Sequence, residues 1–291
     1  MQNTLRKEVS MKTSKSAVLG MLSVAVLVGA IAVYAAATKT ITVKGSDTMV
    51  ILAQRWAEKY MSAHQDVTVQ VTGGGSGVGI SALINGTTDI CNSSRPMKNS
   101  ERDKLKARFN SLGVEIPVAR DGITLYVNES NPISELSLDQ IKAFYRGEIT
   151  NWKEVGGSDA KVILYGRENS SGTYVYFRDN VLGGSDFSPL TQTLPGTGAV
   201  VNAVAKDKNG IGYGGAAYAK GIKVVKVRKD ASSPAYAPTI ETIKAGEYPI
   251  SRYLYMYTRS KPAGDMKKFI DWVLSDEGQS IVSLVGYFPV K

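Results

Sequence analysis

Short β-type runs alternate with stretches of helical hydrophobic spacing from residue 38 to the end of the chain. The predicted strands are brief and rich in valine, isoleucine and tyrosine. They are Thr40–Val43, Val67–Val71, Asp89–Asn92, Ile116–Ala119, Ile123–Val127, Val162–Tyr165, Ile211–Tyr213, Lys223–Val227 and Tyr253–Tyr257. Regular alternation of β and α elements is typical of mostly parallel sheets with helices on both faces, so we predict an α/β fold.

Capping residues mark where several predicted helices begin and end. The predicted helices are Val50–Met61, Ser100–Leu112, a segment from Ser137 to Gly147, Asp265–Leu274 and Gly278–Leu284. Ser100 and Asp103 have the spacing of a capping box, in which side chains satisfy backbone N–H groups that the helix start leaves unpaired. Ser137 and Gln140 repeat that spacing. Gly147 would end its helix, since glycine readily adopts the left-handed conformation found there.

The first 37 residues have the pattern of an export segment. Four basic residues precede an uncharged apolar run, Ala17–Ala37, which ends in three consecutive alanines. The run approaches the roughly 20 residues that span a bilayer. A cleaved signal peptide and an uncleaved N-terminal membrane anchor both fit this pattern. Either predicts that the remainder acts in the periplasm or on the outer face of the cytoplasmic membrane.

Charge favours a small anionic ligand over a nucleic acid. The chain has 35 Lys+Arg, 26 Asp+Glu and a formal net charge of +9. Residues 1–37 hold four basic residues and one acidic residue, which leaves 31 against 25 and a net charge of +6 for the remainder. This mild excess is spread along the chain rather than clustered. We therefore expect no nucleic-acid partner.

Cysteine and histidine are too scarce for a metal centre. Cys91 is the only cysteine in the sequence and His64 is the only histidine. One cysteine excludes a disulfide within the chain, and the absence of a Cys/His cluster argues against zinc. We expect no metal and no cofactor. His64 lies in a polar link between a predicted helix and a predicted strand, which argues for a surface role.

Three segments share one design, in which a strand ends, a small hydroxyl-bearing turn follows and a helix begins. They are Gly45–Thr48, Gly73–Gly77 and Gly166–Thr173. Such turns collect unpaired backbone N–H groups, hydroxyls and the positive end of the helix dipole, which together favour an anion. In parallel α/β sheets they lie at the carboxyl ends of strands, where ligands bind. Together they predict an oxyanion pocket.

The candidate anion ligands come from these turns and from a fourth strand end, Asp89–Met97. They are Ser46, Asp47, Thr48, Ser76, Gly77, Ser94, Arg95, Arg167, Ser171, Gly172 and Thr173. Arg167 adds a planar, charged fork that suits a tetrahedral oxyanion. Arg95 is a second possible anion contact.

Enzyme motifs fit these segments poorly. Gly73–Gly77 lacks the Gly-Lys-Ser/Thr ending of a phosphate loop and the spacing of a dinucleotide fingerprint. Ser76 is not part of G-x-S-x-G, because Val78 occupies the last position. We therefore expect no catalytic residues. An exported phosphatase-like or serine hydrolase is the enzyme alternative that stays open.

The order of these motifs resembles that of the phosphate-binding protein family of high-affinity phosphate ABC transporters. The likeness runs through the four ligand segments and continues in Gly147–Trp152, Gly210–Tyr213 and Tyr248–Ile250. It covers residues 40–291. Each motif alone is common, whereas their shared order and spacing are specific.

The resemblance implies a type II periplasmic-binding-protein fold, in which phosphate is held between two α/β lobes joined by two crossover strands. Residues 38–120 and 251–291 would form the first lobe and residues 121–250 the second. The crossovers are expected near Val118–Asp121 and Ile250–Ser251. The implied partners are inorganic phosphate and the permease subunits of an ABC transporter with a cytoplasmic ATPase. We expect the protein to be a monomer.

Carried over by position, Arg167 and Ser171–Thr173 match the second-lobe phosphate contacts of the family. Ser76 matches the first-lobe serine, and Ser46–Thr48 covers the first-lobe turn. These assignments follow from the resemblance.

One position departs from the family pattern. Ser94 stands where well-known members carry an aspartate that accepts a hydrogen bond from protonated phosphate. We hypothesise that Asp47 supplies this acceptor, which would repel sulfate because sulfate has no proton to offer. Sulfate, molybdate and tungstate stay open as alternative ligands. A sensor or adhesion protein that reuses the fold also stays open.

Overall fold

The computed structural model describes residues 39–291. The predicted signal peptide or anchor, residues 1–37, lies outside the described residues. The strands are β1 (Lys39–Gly45), β2 (Val67–Thr72), β3 (Ile90–Ser93), β4 (Val114–Val127), β5 (Glu135–Ser137), β6 (Ile163–Arg167), β7 (Gln192–Leu194), β8 (Gly210–Gly215), β9 (Lys223–Arg228), β10 (Ala235–Tyr236) and β11 (Ser251–Thr258). The helices are α1 (Val50–Ala63), α2 (Ser76–Asn85), α3 (Asn99–Phe109), α4 (Leu138–Arg146), α5 (Gly172–Asn180), α6 (Gly196–Lys206), α7 (Ile240–Lys244), α8 (Gly264–Val273) and α9 (Asp276–Val285). Every predicted strand overlaps one of these strands.

The strands form a mixed, curled sheet with β4 and β11 at its centre. Their order is β2-β1-β3-β11-β4-β8-β6-β7, and β9 pairs with β4, β5 and β10. β1 is parallel to β2 and β3, and β6 is parallel to β7 and β8. By contrast, β4 and β11 run antiparallel to each other and to their other neighbours. The predicted parallel sheets are therefore confirmed in the two arms, which meet across an antiparallel centre.

The two largest hydrophobic cores lie on either side of this centre. One core packs β1 and α1 against α8 and α9, and its Trp56 donates its indole N–H to the carbonyl of Gly278 at 2.8 Å. The other packs β8 against α4 and α5 and includes Phe144 and Tyr213. We call the two sides the first lobe and the second lobe. The α/β fold with two lobes is confirmed.

The predicted strands Ile116–Ala119 and Ile123–Val127 are one continuous strand, β4. Its pairing with β11 continues through the residues between them, where Asp121 lies opposite Arg252. Ala119 belongs to the first core and Ile123 to the second. Two charged residues, Arg120 and Asp121, and a glycine therefore separate the two apolar runs without breaking the strand.

The predicted start of α3 is wrong by one residue. The helix begins at Asn99, and Lys98 donates its backbone N–H to the Glu101 carboxylate at 2.8 Å. This bond satisfies a backbone donor at the helix start, a role that Ser100 and Asp103 were expected to share.

The capping box of α4 is confirmed and supports a stability prediction. Gln140 donates its backbone N–H to Ser137 Oγ at 3.1 Å, and Ser137 donates its own to Gln140 Oε1 at 2.9 Å. We expect Ser137→Ala to lower the free energy of unfolding by about 1 kcal/mol, because a backbone donor loses its acceptor. Urea denaturation at unchanged m-value measures this loss. Ser134→Ala, at an exposed position, is the control; equal destabilisation by both changes would contradict the prediction.

Candidate anion-binding site

The turn after β1 places two hydroxyls at the base of the site. Gly45 has φ +143°, and a Cβ there would lie 2.1 Å from the carbonyl oxygen of Asn92, so only glycine fits. The chain then turns through a short 3₁₀ segment, Asp47–Met49, before α1 begins. Ser46 and Thr48 are both buried. The turn therefore holds its hydroxyls inside the protein.

The glycine-rich turn before α2 touches the second lobe. Gly75 has φ +94°, and a Cβ there would lie 2.6 Å from the carbonyl oxygen of Ser170. Gly77 donates its backbone N–H to the same oxygen at 2.9 Å. Ser76, the first residue of α2, is fully buried. These contacts bring the start of α2 against the loop that follows β6.

The loop after β6 ends in the N-terminus of α5. Ser171 caps this helix, and its Oγ accepts backbone N–H groups from Thr173 at 3.2 Å and Tyr174 at 3.3 Å. The Ser171 hydroxyl keeps its own proton to donate, since a hydroxyl has one donor and two lone pairs. Its position at a helix start favours a negatively charged acceptor.

Buried hydroxyls from both lobes form two hydrogen-bonded groups. Ser46 donates to Ser94 Oγ at 2.9 Å, and Ser94 Oγ lies 3.3 Å from Ser76 Oγ. Thr48 Oγ1 lies 2.9 Å from Thr173 Oγ1 across the lobes. We call these five side chains the hydroxyl cluster. An anion that enters the cluster would exchange hydroxyl–hydroxyl bonds for stronger, charge-assisted ones.

Gly172 shows how closely the two lobes approach. A Cβ at this position would lie 2.3 Å from Ser76 Oγ and 2.6 Å from Ser94 Oγ. Contacts this short are not found for real Cβ atoms. Glycine is therefore required at the first residue of α5 if that residue is to pack against Ser76 and Ser94.

Arg167 lies beside the cluster with its guanidinium held by both lobes. The residue is 2% exposed, and Nη1 donates to Thr197 Oγ1 at 2.9 Å. Nη2 donates to Asp47 Oδ2 at 2.8 Å and to Glu168 Oε1 at 2.9 Å. Because Asp47 belongs to the first-lobe turn, this ion pair also links the lobes. The predicted fork is thus buried and close to two carboxylates.

Arg95 is not brought together with the other predicted ligands. Its guanidinium forms a two-pronged ion pair with Glu101, at 2.8 and 2.7 Å, and also donates to the carbonyl of Pro96. Burial alone would raise the pKa of Glu101, but the hydrogen bonds and charge of Arg95 lower it. The guanidinium of Arg95 therefore fixes the start of α3, and its contact with the anion stays a prediction.

A third buried arginine, Arg252 in β11, was missed from the sequence. It donates to the carbonyl of Ser94 at 2.8 Å and to Thr173 Oγ1 at 2.9 Å. It also pairs with Asp121, a fully buried carboxylate in β4, at 2.8 Å. Burial raises the pKa of Asp121, while the charge of Arg252 opposes that rise. The available signal was Asp121 at the end of one predicted crossover and Arg252 directly after the other.

The described residues, 39–291, include no metal-binding cluster, and the histidine among them packs on a tyrosine. No group of three or more His, Cys, Asp or Glu side chains in that range could hold a metal ion. His64 stacks on Tyr60 with ring centroids 4.0 Å apart, and its Nδ1 is 3.0 Å from the Tyr60 carbonyl. Over the same range, no helix combines the length and apolarity that crossing a membrane requires.

Two α/β lobes that bring ligand loops together beside their crossover strands define a solute-binding protein. A family model described as a PBP superfamily domain matches residues 32–277. The match supports the class that the fold and the site define.

Two curated relatives identify the family within the class of solute-binding proteins. The phosphate-binding protein PstS of Pseudomonas aeruginosa is 33% identical over 263 residues, which cover 84% of this chain and 81% of that protein. PstS of Staphylococcus haemolyticus is 35% identical over 247 residues, which cover 81% of this chain and 77% of that protein. The chain belongs to the PstS family of phosphate-binding proteins.

Solved structures agree in fold. A Clostridium perfringens structure with bound phosphate, assigned to a phosphate ABC transporter substrate-binding protein, has a TM-score of 0.79 and 31% identity, covering 87% of this chain and 100% of that one. An ABC-type phosphate transport receptor from Vibrio cholerae has a TM-score of 0.69 and 30% identity, covering 85% and 99%. The resemblance expected from the motif order is thus confirmed.

Proposed function

We propose that this protein binds inorganic phosphate outside the cytoplasm and delivers it to the permease of an ABC transporter driven by a cytoplasmic ATPase. The observation that carries the proposal is the hydroxyl cluster, in which Ser46, Ser76 and Ser94 lie against the start of α5. Arg167 supplies a buried cation beside it. The names of the similar proteins support phosphate as the ligand.

Binding in this proposal is a change of hydrogen-bond partners, with no bond made or broken. Phosphate enters between separated lobes, and hydroxyl, amide and guanidinium donors replace its water. Closure follows because the closed form makes more contacts with the anion. Oriented donors matter more than the net charge, since scattered surface lysines are screened within about 10 Å in salt. The protein therefore acts as a carrier, and not as an enzyme.

The wider architecture completes the proposal. We place the lobe boundaries near residues 120 and 251, where β4 and β11 pass between the two cores. Residues 1–37 would direct export, either as a cleaved signal peptide or as an anchor on the outer face of the membrane. The carrier would act as a monomer, since one chain supplies both sides of the cluster.

The anion retained by the purified protein is the most direct test. The protein would be purified without added phosphate and denatured, and the released anion would be measured by a colorimetric phosphate assay and mass spectrometry. We expect close to one phosphate per chain. Calorimetry of protein stripped of anion, with phosphate, sulfate, molybdate and tungstate, then ranks the ligands. Preferred binding of another oxyanion would overturn the choice of phosphate, and turnover of a phosphate ester would favour a hydrolase.

Selectivity for phosphate is proposed to depend on Asp47. Its Oδ2 accepts from Arg167 and its Oδ1 accepts the backbone N–H of Gly74 at 2.8 Å. An ionised carboxylate keeps further lone pairs for the proton of phosphate and repels sulfate. We expect Asp47→Asn to reduce the preference for phosphate over sulfate at least tenfold, about 1.4 kcal/mol, in calorimetric titrations.

Asp103→Asn is the matched control for this change, because Asp103 is an exposed carboxylate on α3. It should leave the phosphate-to-sulfate preference unaltered. An unaltered preference in Asp47→Asn as well would remove Asp47 from the discriminating role.

A further inference from the structure

Arg252 lies where the two lobes and the two crossover strands come together. Its side chain is 3% exposed, and its Nη1 donates to the carbonyl of Ser94. Nε and Nη2 donate to Asp121 Oδ2 at 3.1 and 2.8 Å. Nη2 also reaches Thr173 Oγ1 at 2.9 Å and lies 3.5 Å from Thr48 Oγ1. The guanidinium of Arg252 therefore contacts both threonines of the hydroxyl cluster.

The chemistry of the guanidinium fixes the direction of the hydrogen bond between Arg252 and Thr173. A guanidinium can only donate, so Thr173 Oγ1 accepts from Arg252 and must aim its single proton elsewhere. Thr48 Oγ1 and Thr173 Oγ1 lie 2.9 Å apart, so one hydroxyl donates to the other and the second proton stays available. Without Arg252, both hydroxyls could rotate and present lone pairs to an incoming anion.

We propose that Arg252 is a positioning residue, which polarises the Thr48–Thr173 pair so that its spare O–H points toward the bound anion. Asp121 holds the guanidinium in place from behind, in the manner of an outer-layer partner that orients a ligand group. The Tyr176 ring, 5.5 Å from the Arg252 guanidinium carbon, covers another side of it. This inference rests on the proposed phosphate binding and adds the group that orients its donors.

A simpler role for Arg252 makes a different prediction. Asp121 is fully buried, and in the simpler role Arg252 only neutralises its charge. In that case, removing both charges together would restore stability and affinity alike. Under the proposal, removing both charges restores stability, but the Thr48 and Thr173 hydroxyls stay unoriented and the phosphate affinity stays low. The two roles therefore separate in a double variant.

The experiment compares Arg252→Gln, Asp121→Asn and the double variant, by calorimetry with inorganic phosphate and by thermal unfolding of the stripped protein. We expect Arg252→Gln to weaken phosphate binding by about 30-fold or more and to lower Tm. The double variant should recover most of the lost Tm, while its Kd stays within about threefold of Arg252→Gln. Recovery of the wild-type Kd in the double variant would overturn the proposal.

Two further variants keep the test decisive. Arg252→Lys retains the charge beside Asp121 but lacks the planar fork, so it should fold and still bind phosphate at least about tenfold more weakly than wild type; wild-type affinity would contradict the proposal even if Arg252→Gln failed to fold. Arg120→Gln is the matched control, because Arg120 lies on β4 and donates outward to Tyr253 at 2.6 Å. Its Kd should equal that of the wild type.

The outcome also separates the inference from the proposed function. If the wild-type protein binds no phosphate, the proposed function fails and the inference fails with it. If the wild type binds phosphate and Arg252→Gln binds it equally well, the inference alone fails.

Discussion

Replacement of Arg167 by alanine is expected to weaken phosphate binding by about 2–4 kcal/mol, or roughly 30- to 1,000-fold in Kd. The guanidinium is buried between Asp47, Glu168 and Thr197, so alanine removes a cation from a site that water barely reaches. It also leaves the carboxylates of Asp47 and Glu168 without their counter-charge. Both effects oppose phosphate, and isothermal calorimetry at fixed pH and ionic strength measures their sum.

Matched variants separate this effect from a general loss of charge. Arg178→Ala removes an arginine from α5 that pairs with Asp179 and is about a third exposed. It should change the phosphate Kd by no more than about twofold, because exposed ion pairs contribute little. Arg167→Lys keeps the charge but not the fork, and should fall between wild type and alanine. A loss of only a few tenths of a kcal/mol in Arg167→Ala would count against the site.

Much of the fold could be predicted from local pattern. Alternation of apolar residues located eight of the eleven strands that the structure describes and missed β5, β7 and β10. Small hydroxyl-bearing turns before helices located three of the four segments that supply the hydroxyl cluster. Ser137 and Gln140 gave the start of α4 because both partners of the capping box are three residues apart. The residues that give each of these signals lie within a few positions of one another, so they can be recognised in a single sequence without knowledge of the fold.

Contacts between distant segments escaped prediction. Arg95 was predicted as an anion ligand at a strand end, and in the structure its guanidinium pairs with the carboxylate of Glu101, six residues later. Arg252 and Asp121 are 131 positions apart and meet only because β4 and β11 pair in register. The hydrophobic pattern places both strands and says nothing of that register. Site residues that share one loop could therefore be predicted from the sequence, whereas the pair that joins two strands could not.

Gly172→Ala tests whether the loops of both lobes meet around the ligand. The added methyl group would lie 2.3 Å from Ser76 Oγ and 2.6 Å from Ser94 Oγ, so the lobes could not close to the observed distance. We expect phosphate affinity to fall by about 3 kcal/mol, the upper end of the range for one inserted methyl, or more than 100-fold in Kd. Calorimetry with phosphate measures the loss.

The stability of the ligand-free protein should not fall with the phosphate affinity, which makes this variant informative. Gly172 opens α5, and its φ lies outside the left-handed region, so alanine can adopt its backbone without strain and removes freedom from the unfolded chain. With the lobes apart, the ligand-free protein should therefore keep its Tm. Gly198→Ala is the matched control: it also lies in the first turn of a second-lobe helix, α6, and a methyl there meets nothing within 4 Å. Phosphate binding by Gly172→Ala at the level of Gly198→Ala would mean that the two loops do not clasp the same anion.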